Sequence, residues 1–136
     1  MEKTYRREER DNYNTIGLSH LYWELFDSPD YTGSGFKFME REPVLILDDI
    51  MKVYRKWRPT IIQAYTSKEY SDLIGLPSIS PYRVGKGVML KCLNSKKRIF
   101  IVKNLILRGV ERIAISEEYI EFDTDNYLYK PNLYLR

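Results

Sequence analysis

Glu121 and Asp123 stand two residues apart in the β-rich stretch Tyr119-Ile120-Glu121-Phe122-Asp123. Residues two apart on a strand point to one face, so the pair has the residue types and placement for general acid and base work. A plainer use for Asp123 is to satisfy a local backbone donor. Metal chemistry is harder to build. A catalytic zinc needs three protein ligands drawn from His, Cys or carboxylate, plus an open position for water. The chain holds 1 His, His20, and 1 Cys, Cys92, so no two-histidine site fits within one chain. Cys92 follows a β-rich run and reads as a small buried apolar residue. Gly33-Ser34-Gly35 and Gly85-Lys86-Gly87 lack the spacing of a phosphate-binding loop. Asp48 and Asp49 fall on the polar side of an amphipathic stretch and are expected to face water.

The elements that must position these groups follow from the pattern. A helix is predicted from Pro43, which suits a first turn, with Leu47, Ile50, Met51, Tyr54 and Trp57 recurring at helical spacing. Arg58-Pro59 ends it. Thr60 to Tyr65 is a short β-rich run. Ser67 can cap a helix reaching Ile74, with Gly75 at its end. Pro77 to Gly85 reads as loop and Gly87 to Cys92 as strand. A second long helix runs from Ser95, as N-cap, to Arg108, stopped by Gly109. Ile99, Val102, Leu105 and Ile106 make its apolar face, and Phe100, Ile101 and Leu107 are expected to broaden the burial. Val110 to Ile115 and Tyr119 to Asp123 form a hairpin around Ser116-Glu117-Glu118. The expected fold class is α+β, a small and mainly antiparallel sheet packed on helices.

Three regions are expected: a polar arm over 1–18, one domain over 19–125, and a Tyr/Leu-rich tail over 126–136. The tail residues Tyr127, Leu128, Tyr129, Leu133, Tyr134 and Leu135 are too apolar for solvent, so the tail docks on its own domain or, in the preferred reading, on a neighbour. At 136 residues the chain suits a single domain. Its 12 Tyr make it aromatic-rich, a composition shared by interfaces and small amphipathic cores. A net charge of +3, with no basic block beyond Lys96-Lys97-Arg98, argues against nucleic acid. The single Cys excludes an intramolecular disulfide. No signal peptide and no membrane-length apolar run is read, which favours a soluble protein.

The stretch 61–90, IIQAYTSKEYSDLIGLPSISPYRVGKGVML, is similar to the core of the zinc D-alanyl-D-alanine carboxypeptidase and L-alanyl-D-glutamate endopeptidase family, which shares its fold with the Hedgehog signalling domain. The family's S-G-Y-R motif falls on Gln63 to Thr66. Its G-x-P-x-S-x-H-x-x-G-x-A-x-D motif falls on Gly75, Ser78, Ser80, Tyr82, Gly85, Gly87 and Met89, and its terminal H-x-D on Glu121 to Asp123. The lead-in Leu21 to Asp30, LYWELFDSPD, resembles that of bacterial and phage members. Coverage is residues 20 to 125.

The resemblance therefore implies a Hedgehog/DD-peptidase-like fold whose zinc ligands stand replaced by Tyr82, Met89 and Glu121. A phenol ionises only near about pH 10 and a thioether is a weak ligand. The carboxylate-gripping Arg is replaced by Thr66. Glu118 stands where the family keeps its general base, though a base without metal-bound water has nothing to deprotonate. The expectation is a non-enzyme without cofactor or metal, acting as a structural or assembly protein, in a phage or virus and plausibly in the virion. Its partners would be proteins or copies of itself, with peptidoglycan a further candidate and neither nucleic acid nor membrane. Two alternatives stand beside it: a peptide- or cell-wall-binding module retaining the groove, and a peptidase with a relocated site built from Glu118, Glu121 and Asp123.

Overall fold

The computed structural model describes residues 18–54, 56–57, 59–125 and, by backbone, 132–135. Most of the polar arm and the tail segment 126–131 lie outside the described residues. Two helices precede the sheet: α1, Ser34–Phe38, and α2, Arg41–Met51. Then come β1, Thr60–Gln63; α3, Lys68–Ile74; β2, Gly87–Lys91; α4, Ser95–Leu107; β3, Arg112–Ile115; β4, Tyr119–Asp123; and β5, Asn132–Leu135. Short 3₁₀ turns cover Trp23–Phe26 and Pro81–Val84.

The sheet is five-stranded in the order β1-β2-β4-β3-β5. The first four strands pair antiparallel, which confirms the α+β class with a mainly antiparallel sheet. β5 adds in parallel to β3, Ile113 opposite Leu133 and Ile115 opposite Leu135. This part of the expected tail thus belongs to the chain's own sheet. β1 carries a register irregularity between Ile61 and Gln63.

Alternation along the strands gives the sheet a core face and an open face. Val88, Leu90, Ile113, Ile120 and Phe122 are buried on the core face, where α2 and α4 cover them. Val44, Leu47, Ile50 and Met51 of α2 and Ile101 and Leu105 of α4 reach 0% exposure. Fully burying one side chain of this size contributes about 1.5–3 kcal/mol. Among the described residues, no helix is long and apolar enough to cross a membrane.

Four details differ from the sequence reading. α2 stops at Met51, and the chain goes on through turns closed by Tyr54 N–H to Met51 O and Trp57 N–H to Tyr54 O. These are three-residue bonds, so the spacing of Met51, Tyr54 and Trp57 serves successive turns rather than a helix. The N-cap of α4 is Asn94, one residue early, its side chain accepting from Lys97 N. The buried face of α4 is set by Ile101 and Leu105, while Ile99, Ile106 and Leu107 are exposed. That helix is apolar nearly all round, so period alone does not choose its inner face.

Asp48 is the fourth correction: it is 1% exposed rather than facing water. Its carboxylate accepts backbone N–H groups from Ser19, His20 and Leu21 at 2.8–3.0 Å. This charge is buried because three donors of an irregular segment need it. Asp49 does face solvent, and it accepts from Arg108 Nη2 at 2.6 Å, an ion pair that ties α2 to the end of α4.

Candidate functional site

Glu121 and Asp123 lie on the open face of β4, and the register brings their neighbours in from the other strands. Met89 stands directly opposite Glu121, with Gln63 and Ala114 beyond in the same row. In the next row Asp123 lies between Gly87 and Arg112. Over this face folds the segment Leu76 to Tyr82, and the two surfaces enclose a cavity of about 440 Å³. Tyr82, Met89, Glu121 and Asp123 all line it.

The overlying segment is held from several sides. Ser80 caps the 3₁₀ turn by accepting from Tyr82 N, and Pro81 presets its first position. Arg83 donates to Pro77 O at 2.9 Å and to Leu76 O at 2.5 Å, and pairs with Asp72 at 2.9 Å. Gly85 ends the turn at φ 72°, where an added Cβ would lie 2.1 Å from Phe38 O. The Tyr82 ring lies over Gly87, within 3.1 Å of where a Cβ would be. The small residue at 87 is what lets Tyr82 reach the sheet.

Thr66 and Glu118 do not join the cavity. Thr66 is 1% exposed; its hydroxyl donates to Ala64 O, and its N–H donates to Tyr82 O at 3.0 Å. A short side chain satisfied by its own backbone stays beneath the Tyr82 turn instead of reaching past it. Glu118 is exposed in the turn before β4, and its carbonyl accepts from Cys92 N. Three residues of strand separate it from Glu121 by about 10 Å and reverse the facing. A spacing that would unite two carboxylates on a helix parts them on a strand.

Arg112 is the residue that sequence reasoning missed. Its Nε lies 3.2 Å from Asp123 Oδ2, with the two side chains 18% and 8% exposed. Asp123 Oδ1 accepts from Asp125 N at 3.0 Å, the local backbone donor expected for it. The signal for Arg112 was the hairpin register: pairing Ile115 with Ile120 fixes Arg112 against Asp123. Gln63, also on the cavity wall, has a buried Nε2 without a hydrogen-bond partner among the described residues.

These donors do not suit zinc. The cavity offers a phenol, a thioether and two carboxylates, one of them already committed to Arg112 and a backbone N–H. Among the described residues, no group of three or more His, Cys, Asp or Glu is placed to hold a metal ion. Cys92 is buried, and burial pushes its thiol up from its ordinary value.

The D-S-P-D lead-in forms a polar clip beneath the Tyr82 turn. Asp27 accepts from Gly33 N and Gly35 N at 3.0 and 2.7 Å. Ser28 Oγ donates to Asp30 Oδ1 at 2.5 Å and accepts from Ser67 N at 3.0 Å. Ser67 Oγ donates to Asp30 Oδ2 at 2.7 Å while capping α3 by accepting from Tyr70 N. The Ser28 and Ser67 hydroxyls hold the Asp30 carboxyl below its usual value. Beside the clip, Tyr65 stacks on Phe38 with ring centres 5.0 Å apart, and burial raises its phenol.

No protein family, characterised protein or solved structure matches the chain.

Proposed function

We infer that this chain is a non-catalytic relative of the zinc peptidoglycan peptidases and acts by binding a peptide in the retained cavity. One observation carries the reading. Tyr82, Met89 and Glu121 come from separate elements, stand where the resemblance puts the zinc ligands, and line a single cavity that lacks a metal-binding donor set. Its wall mixes apolar Leu76, Ile79 and Met89 with polar Gln63, Glu121 and Asp123. Apolar walls with a few fixed polar groups suit recognition of a peptide side chain. The peptidoglycan stem peptide is the proposed ligand, by the resemblance. The assembly role leaned on the tail as an arm to a neighbour; the pairing of β5 within its own sheet favours binding over that role. A phage or virus setting stays part of the proposal, supported by the D-S-P-D lead-in, and is checked by looking for the chain in purified virions.

The test is retention of the full chain on purified peptidoglycan, with mass spectrometry of the soluble stem peptides. Binding that Met89→Arg abolishes, with every peptide bond intact, is the expected result. Equal binding by that variant sinks the cavity as the site. Cut peptides overturn the non-catalytic half.

A further inference from the structure

At the end of the sheet away from the cavity, the fold gathers positive charge around two aromatic rings. The sequence over 52–58, KVYRKWR, contains 4 basic residues. The start of α4 brings the second basic run, Lys96-Lys97-Arg98, against it. Lys97 Nζ lies 4.5 Å from the centre of the Trp57 ring and 5.7 Å from that of Tyr54. Val53, Tyr54, Lys56, Trp57 and Lys97 line an open depression of about 530 Å³, and no acidic side chain stands among these residues. Lys91, the last residue of β2, pairs with Thr60 at the same end of the sheet.

Availability distinguishes these cations. Arg98 is consumed internally, donating to the carbonyls of Cys92, Ser116 and Glu117. Lys52 pairs with Asp49 at 3.4 Å. Lys56 and Lys96 are exposed and form no hydrogen bond or ion pair with the described residues. Among the described residues, the carboxylates beside the start of α4 are Glu117 and Glu118 in the turn after β3, whose carbonyls accept from Arg98 and Cys92. Asp49, paired with Arg108 and Lys52, lies by the far end of α4. A total charge of +3 therefore conceals a local excess. The expectation against nucleic acid rested on that total and on the absence of a basic block beyond Lys96-Lys97-Arg98.

We propose that this patch binds single-stranded nucleic acid. Lys56, Lys96 and Lys97 would meet backbone phosphates, and a base would stack on the Trp57 face that the Lys97 ammonium now covers. Paired cations and rings are the combination single strands use, because every base has a face to stack while phosphates follow the charge. An anionic lipid surface would take the same cations and seat the rings at headgroup level, so binding to vesicles separates the two. Trp57 also gives the patch its own reporter. The other tryptophan, Trp23, is 1% exposed and beyond a ligand's reach.

The experiment titrates the full chain with a deoxythymidine oligonucleotide, reading tryptophan fluorescence and anisotropy. The expected result is quenching that follows binding, with log K falling against log salt at a slope of about −2 to −3.5, as for three to five phosphates. The Lys56→Glu/Lys96→Glu double variant should weaken binding at least about tenfold, the two changes acting on phosphate contacts. Its melting temperature should be unchanged, since neither side chain holds the fold. Undiminished binding by the folded double variant would overturn the proposal. So would binding of heparin as tight as that of the oligonucleotide, which would reduce the patch to a general polyanion contact. Association with phosphatidylglycerol vesicles and not with the oligonucleotide would replace it with a lipid surface.

Discussion

Met89 and Glu121 face each other as direct antiparallel partners across β2 and β4. The resemblance puts a zinc ligand at each position. In this chain the facing pair joins a thioether to a carboxylate, a combination with little affinity for a hard or borderline cation. The first expectation follows: the purified protein carries no stoichiometric zinc, and added zinc leaves its melting temperature unmoved, because a ligand stabilises only what it binds. One tightly held equivalent by elemental analysis would contradict this.

Gly85 and Gly75 both have positive φ, 72° and 78°, yet only Gly85 has a neighbour where a Cβ would sit. Gly75→Ala should cost the left-handed strain alone, about 1–2 kcal/mol. Gly85→Ala should cost clearly more and loosen the Tyr82 turn. Urea melts of the two variants decide it; equal losses would mean that the contact with Phe38 O is unimportant.

Leu105 and Ile106 are adjacent on α4 and opposite in burial, 0% and 53% exposed. Leu105→Ala is expected to cost about 2–5 kcal/mol, as a large-to-small change in a packed core does. Ile106→Ala should stay within about 1 kcal/mol. The reverse ranking in denaturant midpoints would show that α4 is rotated on the sheet.

Asp30 ties the lead-in to the cap of α3 through Ser28 and Ser67, whose hydroxyls hold its carboxyl below the ordinary aspartate value. A folded-state value below the unfolded one contributes stability that is fully present above the unfolded value. That contribution is lost as pH falls through the folded value. The amide resonances of Ser67 and Tyr70 should therefore shift with a midpoint below that of an ordinary aspartate, and Asp30→Asn should abolish that step. A midpoint above the ordinary carboxylate range would sink the assignment. Asp30 itself is solvent-exposed, so the weight of its ionisation in overall stability is small.

Deleting residues 126–136 removes β5 from β3. The expected outcome is a lower melting temperature for the isolated monomer, since the pairing lies within one chain. An unchanged monomer that has lost self-association would instead restore the arm to a neighbouring subunit.

Local chemistry was readable in the sequence wherever a single residue decides it. Ser67 caps α3 and Gly75 ends it in the left-handed region, both as the pattern requires. The two strands of the hairpin followed from alternation and a short turn; that Met89 and Glu121 meet, through β2 beside β4, was implied by the resemblance alone. What escaped depends on distant partners. Asp48 looks like any polar helix residue until the backbone of residues 19–21 needs an acceptor. The inner face of α4 could not be chosen from a helix apolar on most sides. Glu118 was placed with Glu121 by the resemblance alone, and the turn before β4 carries it away from the open face. Arg112 went unnoticed because its partner is set by register rather than by proximity in sequence.

The irregularity between Ile61 and Gln63 also bears on how the molecule behaves in a crowd. β1 is one of the two edges of the sheet. A regular edge offers a row of backbone donors and acceptors on which another chain can continue the ladder, the first step towards fibres. A bulge breaks the spacing of that row and twists the strand away from the plane. An incoming strand would lose its register where the shift falls, between Ile61 and Gln63. The bulge therefore opposes aggregation through this edge while leaving Gln63 aligned with Met89 on the cavity wall.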